Sequence, residues 1–188
     1  MALKKADLEK KIAKLLSLDE DPKAENEGDC ATKISDYVDA YLADIEVGKF
    51  AAPGMIPGSP PVTGPPPGPK VAPAAPLEAK EFRAEFKSAM EGKTGDFSKC
   101  GPAYANDMAG MTDVTDNVYD ESGASVCAKP PDINKAFKVG HDGGDHKAVA
   151  KELANQIHTA TTSTTYTGAA PYTDGAALAA APHSSPFS

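Results

Sequence analysis

Hydrophobic positions recur along the chain with a helical period. In residues 3–18, Leu8, Ile12, Leu15 and Leu16 fall on one stripe, with Lys and Glu on the opposite face. That spacing predicts an amphipathic helix, ended by the run Asp19-Glu20-Asp21-Pro22. A second stripe holds Ile34, Val38, Tyr41, Leu42 and Ile45, while Lys33, Asp36, Asp39 and Asp44 lie mostly off it. This predicts a helix over roughly 30–46, with Asp29 placed to accept from its free N–H groups. Gly48 and Ala51-Ala52-Pro53 stop it. The two helices suggest an antiparallel hairpin. Alone they bury too little surface, so they need the rest of the chain or a partner.

A related design returns near the C-terminus. In Lys147–Pro171, Val149, Leu153 and Ile157 recur every four residues. Leu153 and Ile157 match Ile34 and Val38 at a constant offset, and each copy ends in Ala-Ala-Pro. After Ile157 the hydroxylated and β-branched residues favour an extended strand over a helix. The pattern is either an internal helix-then-arm repeat or a chance alignment of two helices in an Ala-rich chain.

Between these copies lie three other stretches. Residues 53–76 hold ten of the 17 prolines. They exclude a helix interior or central strand and predict polyproline II or an irregular tether, with a reach of roughly 70 Å when extended. The segment reads as a linker or a subunit-spanning arm, ahead of a PxxP ligand. Residues 77–91 predict a third helix, with Phe82, Phe86 and Met90 on a face that reads as core. Residues 96–145 read as poor in regular structure, apart from a short helix over Ala103–Met111 with Asn106 and Asp107 on its surface. Pro130-Pro131-Asp132 starts another short helix, bearing Ile133 and Phe137. A helix over 146–158 follows, then an almost uncharged arm over 159–188, which is expected to order only against something else.

The fold class is therefore mainly α: small amphipathic helical clusters, a Pro/Gly-rich tether and an extended Thr/Ala/Pro-rich C-terminal arm. Four parts are expected: a helical hairpin (1–52), the linker or arm (53–76), a helical, loop-rich central domain (77–158) and the C-terminal arm (159–188).

Composition narrows the function classes. The net charge of −8 argues against a general attraction for a phosphate backbone, so no nucleic-acid partner is expected. No apolar run approaches the roughly 18–20 residues of a membrane span, and the N-terminus lacks a secretory leader. Synthesis in the cytoplasm is the default. Cys30, Cys100 and Cys127 are an odd set without CxxC spacing. They read as free thiols, with a Cys100–Cys127 bridge as the alternative.

Candidate chemistry is sparse. His141, Asp142, Asp145 and His146 stand within six residues and offer metal-ligand types. Gly143-Gly144 between them favours a turn, with Asp145 as N-cap of the next helix. Asp107, Asp113, Asp116, Asp120 and Glu121 lack the order of a calcium loop and read as a solvated acidic stretch. No G-x-S-x-G, P-loop or G-x-G-x-x-G occurs. No catalytic residue or cofactor is assigned, and the protein reads as a non-enzyme.

The short helix of the form A-x-K-[IL]-[SA]-x-x-[IV], its Thr/Val-rich extended stretch and its Gly/Pro-rich tail resemble small virion structural proteins of tailed bacteriophages. The resemblance covers Ala31–Pro69 and Lys147–Ser188 and leaves 77–145 outside it. It implies a non-enzymatic virion component of capsid, neck, tail or baseplate, made in the host cytoplasm and held by its neighbours. Its partners would be other virion structural proteins and copies of itself. Ile34, Val38, Tyr41, Leu42, Ile45, Leu153 and Ile157 are the expected interaction residues. The alternative is a small metal-binding or redox module using His141, His146 and the cysteines.

Overall fold

In the computed structural model, residues 3–17, 24–48, 70–92, 95–115, 120–173 and 178–188 are described. The described part is mainly helical. Helices α1 (Lys5–Leu16) and α2 (Glu27–Leu42) come first. The Leu8, Ile12 and Leu15 stripe of α1 is buried, as its spacing predicts. Helix α2 begins earlier than the stripe suggests. Asn26, not Asp29, is its N-cap, accepting from the Asp29 N–H at 2.9 Å. The Asp29 carboxylate turns back to the Glu25 N–H at 2.9 Å, so the two side chains satisfy donors reciprocally.

Strand β1 (Val47–Gly48) pairs antiparallel with β2 (Lys70–Val71), Gly48 opposite Lys70. Residues 49–69, most of the Pro/Gly-rich stretch, lie outside the described residues, but the chain leaves and re-enters at one ladder. Helix α3 (Lys80–Glu91) follows. Its first N–H groups are capped from elsewhere in the chain. Asp107 accepts from Glu81 N at 2.9 Å and Phe82 N at 2.8 Å, and Asp39 accepts from Ala79 N at 2.7 Å. Arg83 then bridges to α2, reaching Asp36 at 2.7 Å and Asp39 at 2.6 Å.

The central region holds more regular structure than its composition suggests. Helix α4 (Cys100–Ala109) is followed by β3 (Asp113–Thr115), β4 (Asp120–Cys127) and α5 (Ile133–His141). Asp113, Asp120 and Glu121, expected in an acidic loop, are strand residues, and Asp116 lies outside the described residues. Asp107 is a half-buried cap rather than a surface acid.

Helix α6 (His146–Thr162) runs four residues past the expected end. The hydroxyls that favour a strand are absorbed by the helix: Thr161 and Thr162 donate to the Ile157 and His158 carbonyls, each at 2.8 Å. Ser163 and Thr164 both bond the Ala160 carbonyl, and β5 (Thr164–Thr173) starts there. It pairs with β6 (Leu178–Pro186), giving an antiparallel sheet in the order β3-β4-β5-β6. From Thr164 on the C-terminal stretch is strand, and β5 pairs with this chain's own β4 as well as with β6.

One buried cluster runs from Leu8 to Phe187 and draws on every helix. The segments on either side of the Pro/Gly-rich stretch share it. Helix α1 packs on α6 and α2, α5 on α6, and α3 between α2 and α4. The C-terminus closes the structure. Phe187 is 2% exposed, and Ser188 exchanges backbone hydrogen bonds with Glu46 at 2.9 and 3.0 Å.

Candidate functional site

The seven expected interaction residues are turned inward. Ile34, Val38, Tyr41, Leu42, Ile45, Leu153 and Ile157 are all within the core, none more than 5% exposed. The stripes that needed a cover found it in α1, α3 and the other helices of this chain rather than in a neighbour. This corrects the expectation drawn from the stripes alone.

The metal candidates do not converge. His141 is exposed, with Nδ1 3.5 Å from Asp142. Gly143 takes a left-handed φ of 93° in the turn. Asp145 is the N-cap of α6, accepting from Ala148 N at 2.8 Å, and His146 is the first residue of that helix. Among the described residues no three His, Cys, Asp or Glu side chains are placed to hold a metal ion. All three cysteines are free. Burial pushes the Cys100 thiol up to about 12 and raises that of Cys30 as well, the opposite of an activated nucleophile. No described helix is long and apolar enough to cross a membrane.

What the fold does build is an apolar groove at the C-terminal end of α3. Met90 and Ala89 form one wall. After Gly95, left-handed at φ 64°, the chain turns so that Phe97 N donates to Asn134 Oδ1 at 2.9 Å. This bond sets Phe97 against Phe137 of α5, their rings parallel with centroids 4.4 Å apart and 7° between planes. Both also meet Phe86, at 5.7 and 6.1 Å. Phe86 stacks on Phe82, and Phe82 meets Tyr104 edge-on. An aromatic column therefore runs from the core to the groove floor. Offset and tilted contacts of this kind add about 0.5–1.5 kcal/mol each beyond area burial.

The groove encloses about 900 Å³. Lys135, Lys138 and His141 stand along its α5 side, and Glu27 and Asp132 also border it. Asp132 is committed to the fold: it caps α5 through Lys135 N at 3.1 Å, and its own N–H donates to Gln156 Oε1 at 3.0 Å. Lys135 is held by Glu152 at 2.8 Å. Burial pulls the Glu152 carboxyl upward, but bonds from Lys135 and Gln156 outweigh it and leave it below the usual carboxylate range. The floor is the Phe97–Phe137 stack, with the Met90 thioether on the wall.

In the sequence, Met90 falls on the helix expected over 77–91 and Phe137 on the short helix begun by Pro130-Pro131-Asp132, and Phe97 belongs to no expected element. Their meeting depends on the Phe97–Asn134 bond across 37 residues, for which no local signal exists. No family model, curated protein or solved structure matches the chain.

Proposed function

We propose that the protein is a non-enzymatic structural component of a bacteriophage virion that joins neighbouring subunits, taking an apolar segment of a neighbour into the groove between α3 and α5. The observation that carries this reading is the Phe97–Phe137 stack at the floor of an open groove of about 900 Å³. Filling such a groove with Leu, Phe or Met side chains contributes roughly 1.5–3 kcal/mol for each fully buried side chain, and two or three anchors make a specific contact. The virion setting is supported by the resemblance of the helix-and-arm stretches, and the joining role by the groove.

Met90→Asp tests the reading. Met90 is half-buried at the groove wall, so the charge enters the groove without emptying the core behind it. The variant is expected to keep the wild-type circular dichroism spectrum and to drop out of assembled particles at least tenfold. Wild-type incorporation of the folded variant would overturn the proposal.

A further inference from the structure

Two clefts that share no lining residue with the groove carry complementary charge. The first lies where α1 meets the start of α6. Lys10 and Lys14, one turn apart on α1, line it together with Lys147 and His146, and Glu9 is on its rim. Lys10, Lys14 and Lys147 are exposed, and none is in an ion pair with a described residue. The two helices pack on each other and carry six lysines against Asp7, Glu9 and Glu152, a net charge of +3. The rest of a chain of net −8 therefore sums to −11. The basic face is a local feature of an acidic molecule.

The second cleft lies between α3 and α4. Glu81 and Glu85, again one turn apart, line it, with Lys99 as the charge of opposite sign. The bases of α3 are taken by other acids: Lys80 by Glu78, Arg83 by Asp36 and Asp39, and Lys87 by Glu91. Glu81 accepts only a neutral amide hydrogen bond, from Asn106 at 2.9 Å. The two carboxylates are left without a cation among the described residues. Small side chains flank both pairs, Ala6 and Ala13 in the first cleft and Ala84 and Ala103 in the second, so two helices can approach closely there.

We infer that the basic cleft of one copy receives the Glu81–Glu85 edge of α3 from a second copy. Two lysines at a spacing of four face two glutamates at the same spacing, and Glu9 faces Lys99. Complementary charge fixes the register and offsets the general repulsion between two acidic chains. The two surfaces differ, so the contact is head-to-tail. Each added copy leaves one free cleft of each kind, and the assembly grows into a ring or a filament.

Sedimentation of the full chain over a concentration series tests the contact. In about 0.05 M salt the mass is expected to rise with concentration above the 19.4 kDa of one chain, and the association constant to fall at least tenfold in about 1 M salt. A variant with Lys10→Glu and Lys14→Glu, and a second with Glu85→Lys, are each expected to associate at least fivefold more weakly while keeping the wild-type circular dichroism spectrum. Mixing the two variants should restore association, because the first keeps the Glu81–Glu85 edge and the second keeps the lysine cleft. The salt series on the unaltered chain carries the test if a variant does not fold. A monomer at every concentration in low salt, association that ignores salt, or folded variants that associate like wild type would overturn the inference. So would a chain that stays monomeric yet binds a poly-Glu peptide through Lys10 and Lys14, which makes a different acidic protein the occupant.

Discussion

Asp107 ties two helices through a single carboxylate. It sits on α4, yet its two oxygens accept the Glu81 and Phe82 N–H groups that begin α3. Asn106 beside it donates to Glu81 at 2.9 Å. Burial raises the Asp107 carboxyl pKa and outweighs the pull of those two bonds. Asp107→Ala leaves both N–H groups without their partner. It is expected to destabilise the fold by about 1–2 kcal/mol, read as a lower urea midpoint with an unchanged m-value. No shift in midpoint would remove Asp107 from the cap. Residues of this kind were half legible. Asp132 and Asp145 announced themselves as caps because each stands just before an apolar stripe on its own helix. Asp107 did not, because its helix is 25 residues away. By its sequence Asp29 reads as the cap of α2, but Asn26, three residues earlier, holds that place.

At the scale of elements, the stripes of α1, α2, α3 and α6 were readable because a 3.6-residue period needs only local information. Their faces are the buried ones in the structure. The end of α6 was not readable. Thr159 to Thr162 have side chains suited to a strand, and the helix keeps them by back-bonding Thr161 and Thr162 to the carbonyls four residues before. Strands β3 and β4 were hidden for a different reason. Their sequence, Asp-Val-Thr and Asp-Glu-Ser-Gly-Ala-Ser-Val-Cys, lacks an alternating apolar pattern. Strand β3 is held by β4, and β4 by the distant β5, with Ser122 opposite Ala169 and Cys127 opposite Thr164. Gly123 shows how close that pairing is: a Cβ there would lie 2.4 Å from the Thr167 carbonyl oxygen and 2.7 Å from the Tyr166 ring.

For the whole molecule, the main surprise is where the C-terminus goes. An almost uncharged Thr/Ala/Pro-rich tail reads as an arm for a neighbour, and the sequence carries no sign that Phe187 will fill the same cluster as Leu8. Phe187→Ala is expected to cost about 3–5 kcal/mol, measured by urea unfolding. A cost below about 1 kcal/mol would place the C-terminal residues outside the core. With the helix stripes committed to that core, the groove floored by Phe97 and Phe137 is the surface through which we propose that the chain meets another subunit. The most direct measurement is hydrogen exchange of the chain in isolation and within its assembled particle. The account predicts added protection in residues 132–141 and around Met90 in the particle, with the core helices unchanged. Equal exchange of those segments in both states, or particles that do not contain the chain, would contradict it.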